Sequence, residues 1–255
     1  MAIQFYDVNS INVEATYAFT SATNSLSYFL YDENRDTKLI SSGSDDVTDE
    51  VYQIDYAESK TFDAIHIDNH NIKAGKIEYW NGAAWVDFST PIAYSGETES
   101  THFHTFNSVS TEKIKLTMNT TQTVDAEKFV GQLRAIGVLG TVNANPSEFD
   151  PSFYQKRTIN ETATGKTVNV NFGESYRAEY FFTDADSTDI TLFESLKNRT
   201  NSFYVYNCGG VSTFTDLFFR LQDIFRVTIV NDFKPRPKSN ILNLNSVYVF
   251  EVEGT

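Results

Sequence analysis

FDAIHIDNHNIKAGKIEYWNGAAWVDF, residues Phe62–Phe88, is the stretch of sequence that decides the fold class. Apolar and polar residues alternate with period two over Phe62–Asp68 and again over Lys76–Trp80, which is the pattern of half-buried strands. Asn81-Gly82 follows the second run, and this dipeptide favours a tight type I′ hairpin turn because both residues tolerate a positive φ. A third run, Ala84–Phe88, follows the turn. The stretch therefore predicts neighbouring antiparallel strands.

The remainder of the chain has the same character. Its 255 residues include 21 Phe and 14 Tyr, and such side chains suit a pleated, half-buried surface. Alternation also predicts a strand over Ser25–Tyr31. Only Ser187–Arg199 predicts a helix, with an apolar stripe and with Ser187, Thr188 or Asp189 available as N-cap. The predicted fold class is all-β with antiparallel strands.

A domain boundary is predicted at Gly140–Pro151, which is polar and contains two prolines. The prediction is two antiparallel β-sandwich domains, residues 1–140 and 141–255, the second with one flanking α-helix near residues 189–199. Pro235–Pro237 is predicted to be a loop between the last two strands.

Charge and composition exclude several classes of function. The formal net charge is −14, which opposes binding to a phosphate backbone or to anionic lipids. No apolar run approaches the roughly 18 residues that a membrane span needs, and no secretory signal precedes the first strand. Cys208 is the one cysteine, so an intramolecular disulfide is excluded. We therefore expect no nucleic-acid partner and no membrane insertion.

Catalytic and cofactor motifs are absent from the sequence. It contains no GxSxG, no GxxxxGK[ST] and no GxGxxG. Asp184, Asp186 and Asp189 resemble the start of a calcium loop but lack its glycine and its distal glutamate, so a turn before a helix explains them better. Pairs of acidic residues suited to glycoside hydrolysis stay open, because the chain has 34 Asp and Glu. The prediction is a protein that is not an enzyme and that carries no cofactor.

The histidines are candidates for a ligand or partner contact. His66, Asp68 and His70 fall on one face of their predicted strand, and His102 and His104 share a face of another. If the two strands are neighbours, these side chains could surround a metal ion. Exposed strand faces carry alternating polar residues in any case, so no metal site is predicted, and His66 and His70 remain contact candidates.

Three aromatic residues are also contact candidates. Tyr79, Trp80 and Trp85 could stack on the apolar face of a sugar ring, or they could fill the core of a sandwich. By alternation, Trp80 points away from the side that carries Ile77 and Tyr79. Trp80 is therefore the best candidate for an exposed contact.

Residues 33–140 resemble a discoidin (coagulation-factor type C) domain of the galactose-binding-like superfamily. The resemblance lies in the order and spacing of Tyr52–Tyr56, Phe62–Ile67, Asn71-Ile72, Lys76–Trp80, Trp85–Phe88 and Gly131–Ala135. It implies a β-sandwich. The flanking cysteines of that family are missing and its ligand-binding loops do not align, so no ligand-contacting residue is carried over.

The second half, from about Phe149 onward, is similar in element order to the β-sandwich-plus-helix domains of phage tail tube and distal tail (baseplate hub) proteins. The matching elements include the helix Ile190–Asn198 and the closing strand Val247–Val252. The resemblance implies a structural protein of a virion tail, made in the host cytoplasm, that forms a homo-oligomeric ring and contacts other tail proteins. The alternative is a carbohydrate-binding protein that recognises a glycan or host surface through its N-terminal sandwich.

Overall fold

The structure is a computed structural model, and it describes residues 3–7, 15–21, 27–32, 34, 36–43, 45–142, 146–161, 167–182, 186–199, 203–207, 224–229, 235–237 and 246–254. This part of the chain is all-β, with antiparallel strands and one α-helix. The strands are β1 Ile3–Asp7, β2 Thr16–Phe19, β3 Leu39–Ile40, β4 Glu50–His70, β5 Ile72–Trp80, β6 Trp85–Val86, β7 Ile92–Ser95, β8 Thr101–Thr121, β9 Phe129–Ile136, β10 Val138–Val142, β11 Pro146–Glu161, β12 Thr167–Phe182, β13 Phe203–Asn207, β14 Ile224–Ile229, β15 Pro235–Pro237 and β16 Ser246–Gly254. The predicted fold class is confirmed.

The chain divides into two compact units, which we call the N-terminal unit (Asn9–Val138) and the C-terminal unit (Met1–Val8 with Leu139–Thr255). The prediction placed residues 1–140 in one domain. The structure differs because β1 pairs with β13, some 200 residues later in sequence, and local sequence carries no information about so distant a partner.

The segment predicted as the linker contains strand structure. Gly140 lies in β10, and β11 begins at Pro146. Proline is tolerated at the first residue of a strand because its missing N–H leaves no ladder bond unmade there. The predicted loop Pro235–Pro237 is likewise a short strand, β15, which pairs with β16.

In the C-terminal unit the strand order is β10-β1-β13-β14-β16-β12-β11, with β15 beside β16. The helix α1 spans Ser187–Lys197, which confirms the predicted helix. Its N-cap is Asp186, whose carboxylate accepts from the amides of Thr188 and Asp189, rather than any of the three residues predicted. In turn, the Asp189 carboxylate accepts a hydrogen bond from the Asp186 amide, which completes a capping box.

In the N-terminal unit the strand order is β3-β9-β4-β8-β5-β6, with β2 beside β4 and β7 beside β5. Strands β4 and β8 have 21 residues each and pair along most of their length. Register shifts between Asp55 and Lys60, and between Phe62 and Ala64, interrupt this ladder. Bulges bend a strand and raise its twist, so the two halves of β4 and β8 can serve the two layers of a sandwich.

The core of this unit lies between those layers. Tyr52 and Ile54 of β4 face Leu116 and Ile114 of β8 across the first layer, and Ile65 from the other half of β4 joins the same buried cluster. Each of these side chains is fully or almost fully buried, which contributes about 1.5–3 kcal/mol apiece.

The prediction of a strand at Ser25–Tyr31 is wrong. The structure forms a 3₁₀-helix there, Ser27–Leu30, closed by the Tyr31 amide donating to the Tyr28 carbonyl. Leu30 is buried, whereas Tyr28 is exposed. Alternation over so short a run does not distinguish a strand from one helical turn.

Replacing Gly75 by alanine should destabilise the N-terminal unit by about 1–3 kcal/mol, because overpacking forces the backbone to move. A Cβ on Gly75 in β5 would lie 2.3 Å from the Thr117 carbonyl oxygen of β8. Gly43→Ala is the matched control, since its Cβ would meet no atom within 4 Å. Urea unfolding of both variants measures the difference, and equal midpoints would contradict this account of the β5–β8 contact.

Candidate functional site

The hairpin between β5 and β6 positions two tryptophans side by side. Trp80 and Trp85 are cross-strand partners, joined by a loop of residues 81–84. The Asn81 carboxamide accepts from the amides of Ala83 and Ala84, and the Asn81 amide donates to the Ala84 carbonyl. Within this loop only Gly82 has a positive φ, of 96°. The loop is therefore longer than the predicted type I′ turn, and the Asn81 side chain closes it.

The two indoles contact each other on the outer face of the sheet. Their ring centroids lie 5.5 Å apart at an interplanar angle of 66°, and both side chains are half-buried. Tyr79, the third aromatic candidate, lies on the opposite face, 5.1 Å from the ring of Phe88 and against the core. Of the three aromatic candidates, the structure thus brings Trp80 and Trp85 together outside the core and packs Tyr79 against the core.

Charged side chains line the sheet beside the tryptophans. Glu78 is nearly buried, with Lys76 Nζ at 2.8 Å from Oε1 and Lys115 Nζ at 2.9 Å from Oε2. Lys115 Nζ also lies 4.6 Å from the centre of the Trp85 ring, a cation–π geometry. Burial raises the pKa of Glu78, but the two ammonium groups outweigh that effect and hold the pKa below its usual value. Glu78 is therefore a carboxylate at neutral pH.

The same face continues onto β8 and β4. Lys113 Nζ lies 3.4 Å from Oδ2 of Asp55, and the Gln53 carboxamide donates to Oδ1 of Asp55. We call this surface the tryptophan face, and its members are Gln53, Asp55, Lys76, Glu78, Trp80, Trp85, Lys113 and Lys115. It combines two adjacent indoles with a row of hydrogen-bonding groups across three strands.

A buried hydroxyl anchors the tryptophan hairpin to β8. Thr111 Oγ1 donates to the Trp80 carbonyl at 2.6 Å and accepts from the Lys113 amide at 3.1 Å. One side chain thereby satisfies a backbone group on each of two strands. This bond fixes the end of β5, where Trp80 lies.

Four aromatic rings form a second group, which we call the imidazole cluster: His70, Tyr94, His102 and His104. Ring centroids lie 5.3 Å apart for His70 and His102, and 5.7 Å apart for His102 and His104. The Tyr94 hydroxyl is 3.0 Å from His104 Nε2. Glu97 Oε2 is 3.5 Å from His102 Nε2 at the solvent side.

His70 reaches this cluster because the alternation of β4 breaks at Asn69. His102 is the cross-strand partner of Ile67, so both point to the same face of the ladder. Regular alternation would put His70 on the opposite face, with His66 and Asp68. Asn69 adopts φ 52°, in the left-handed region, and His70 contacts His102 instead.

The predicted face of His66, Asp68 and His70 is therefore not one surface. The His66 ring lies 6.2 Å from that of Phe103, and Asp68 accepts a hydrogen bond from the Thr101 hydroxyl. Among the described residues, no group of three or more His, Cys, Asp or Glu could hold a metal ion. Asp184 and Cys208 lie outside the described residues.

Burial makes His70 and His104 resist protonation. It lowers the pKa of His70 to about 4, with His102 as the next cause, and it lowers the pKa of His104 to about 4 in the same way. Burial raises the pKa of Glu97, but the amides of Glu99 and Thr98 donate to its carboxylate and outweigh that effect, so the pKa is lowered. His70 and His104 are therefore neutral and Glu97 is charged at neutral pH.

Sequence reasoning missed the charged partners of the two tryptophans, and in the imidazole cluster it missed Tyr94 and Glu97. Alternation over Lys76, Glu78 and Trp80 already places these side chains on one face and could have revealed part of the tryptophan face. Tyr94 and Glu97 had no comparable signal, because their position depends on the pairing of β7 with β5. The described residues include no helix long and apolar enough to span a membrane.

No protein-family profile matches the sequence, and no curated protein matches it. Solved structures with a similar fold include chitosan-binding module 1 of a chitosanase/glucanase from Paenibacillus sp. IK-5 (11% identity, TM-score 0.43, covering 52% of this chain and 99% of the module). A putative α-L-fucosidase from Bacteroides thetaiotaomicron is another (11% identity, TM-score 0.45, 52% of this chain), and the match spans only 29% of that enzyme. A third is CpGH89CBM32-6 produced by Clostridium perfringens (18% identity, TM-score 0.39, 50% and 98%).

These likenesses are too distant to assign a ligand or an activity to this chain. None of the three is a phage tail protein, so the resemblance of the second half to tail proteins gains no support from them. The assignment to a tail, the ring and the tail partners stay predictions from the sequence.

Replacing Thr111 by valine should destabilise the N-terminal unit by about 1–3 kcal/mol, because the Lys113 amide and the Trp80 carbonyl both lose their hydrogen-bond partner. Thr117→Val is the control: Thr117 lies on the same strand face of β8 and is half-buried, and its change should stay within about 0.5 kcal/mol. Thermal unfolding of the two variants measures their loss of stability, and equal losses of stability would contradict the anchoring role of Thr111.

Proposed function

We propose that this protein is a non-catalytic carbohydrate-binding protein and that the tryptophan face is its glycan contact. The observation that carries the proposal is the pair Trp80 and Trp85, adjacent and half-exposed on the outer face of the sheet. Both indoles lie outside the buried core cluster, so filling the core does not explain them. Tryptophan combines a large apolar surface with one N–H donor, which suits a wet contact surface.

The polar residues of the tryptophan face favour a sugar, rather than an apolar molecule, as its ligand. A sugar ring has an apolar C–H side for an indole and hydroxyls at its rim that both donate and accept. Glu78 and Asp55 supply acceptors, whereas Lys76, Lys113 and Lys115 supply donors. These charges are held in place by one another, so little side-chain entropy is lost when a ligand binds.

The arrangement favours an extended chain of sugars. Members of the face lie on β6, β5, β8 and β4, which are consecutive neighbours in the sheet. Neighbouring strands are about 4.8 Å apart, so the row crosses the sheet over several sugar lengths. A single sugar on the indoles of β5 and β6 would not reach across β8 to Gln53 and Asp55 on β4.

Tryptophan fluorescence tests this proposal directly, because Trp80 and Trp85 are the only two tryptophans in the sequence. We expect a saturable fluorescence change with a glycan chosen from an array, and tighter binding as the oligosaccharide is lengthened. Trp80→Ala and Trp85→Ala should each weaken binding about tenfold or more, which corresponds to a loss of about 1.4 kcal/mol.

A matched lysine pair serves as the control. Lys115→Met removes the ammonium group from the Trp85 ring and should weaken binding, whereas Lys38→Met removes the one that lies 4.0 Å from the Phe129 ring and should leave binding unchanged. Absence of any glycan signal for the unaltered protein would overturn the proposal. So would full binding, measured by isothermal titration calorimetry, of a variant that lacks both indoles.

A further inference from the structure

The imidazole cluster has no part in the proposed function, and its geometry points to a separate property. We propose that the cluster is an acid-sensitive latch that holds residues 96–100, the segment between β7 and β8, against the turn between β4 and β5. The latch is closed while its imidazoles are neutral. It opens when a proton enters the buried part of the cluster.

The hydrogen bonding of His70 makes its protonation disruptive. The Ile72 amide donates to His70 Nδ1 at 3.1 Å, so Nδ1 carries a lone pair and the neutral ring carries its proton on Nε2. A second proton must therefore attach to Nδ1, where it would face the N–H of Ile72. The acceptor becomes a donor, and the first residue of β5 loses its bond.

The groups around His70 and His104 do not offset a charge on either ring. His102 is partly exposed, and its Nε2 lies 3.5 Å from Glu97 Oε2. His70 is also influenced by Asp68, and Glu97 acts on His70 and His104 as well. Tyr94 contributes only a neutral hydroxyl to His104. A proton on His70 or His104 would place a charge where burial disfavours the charged form.

The latched segment is attached by few contacts. The Glu97 amide donates to the Lys73 carbonyl, and the His70 amide donates to the Ser100 carbonyl. The Gln122 carboxamide donates to the Glu99 carbonyl. Residues 96 and 98–100 are otherwise exposed. Segments with little buried surface open locally at a lower free energy than the core does, so this segment should detach first.

The sign of the pH effect follows from linkage. The pKa of His70 and of His104 falls from 6.5 in an open chain to about 4 in the closed cluster, so the open form binds more protons between these values. The full stability of the closed form is therefore present above about pH 6.5, and it decreases as the pH falls toward 4. At about pH 5, His70 and His104 should each raise the open population roughly tenfold or more.

Amide hydrogen exchange followed by mass spectrometry tests the latch, with rates corrected for the intrinsic effect of pH. The variants are His70→Asn and His104→Gln, singly and together, because an amide oxygen can still accept from Ile72 or Tyr94 and does not titrate. His66→Asn is the control, since His66 is buried but lies outside the cluster.

We expect peptides that cover residues 96–100 to lose protection about tenfold or more between about pH 7 and about pH 5 in the unaltered protein and in His66→Asn. The double variant should show a much smaller loss, and each single variant an intermediate one. Two results would overturn the proposal. One is an equal loss in all variants, and the other is a loss that spreads evenly over β4 and β8.

Discussion

The pairing of β4 with β8 is the interaction on which the N-terminal unit depends. These two strands of 21 residues run beside each other through both layers of the sandwich. Strand β9 pairs with residues Ala64–His70 of β4, whereas β5 pairs with residues Ile114–Thr121 of β8. The bulges near Asp55–Lys60 and Phe62–Ala64 redirect the ladder between the layers. Without that ladder, neither layer would have a central strand.

The tryptophan face and the imidazole cluster both depend on this ladder for their position. Lys113 and Lys115 of β8 lie beside Glu78 of β5 because the two strands pair in that register, and the tryptophan face is the outer side of the same sheet whose inner side buries Ile114 and Leu116. At the other end of β4, His102 of β8 contacts His70, and His104 of β8 lies beside His102. A register slip of one residue would exchange core and surface side chains throughout.

The tryptophan face and the imidazole cluster differ in the charge state of their buried polar groups. In the tryptophan face the nearly buried Glu78 carboxylate has an ammonium group on each side, so its charge is stabilised. In the imidazole cluster, burial favours the neutral form of His70 and His104, and Glu97 is the carboxylate beside His102. The first arrangement suits recognition over a wide pH range. The second responds to acidity, because a proton on His70 or His104 would place a charge where burial outweighs the nearby carboxylates.

The sequence by itself determined the all-β class, the helix at Ser187–Lys197 and the outward direction of Trp80, because each follows from periodicity within a few residues. Only the tertiary structure decided that Trp80 meets Trp85 beside Lys115, that β1 joins β13, and that His70 leaves His66 for His102. These outcomes depend on strand register, on partners far apart in the chain and on one left-handed residue, Asn69. Local alternation describes which side of a strand a residue occupies, but it contains no information about which strand lies next to it.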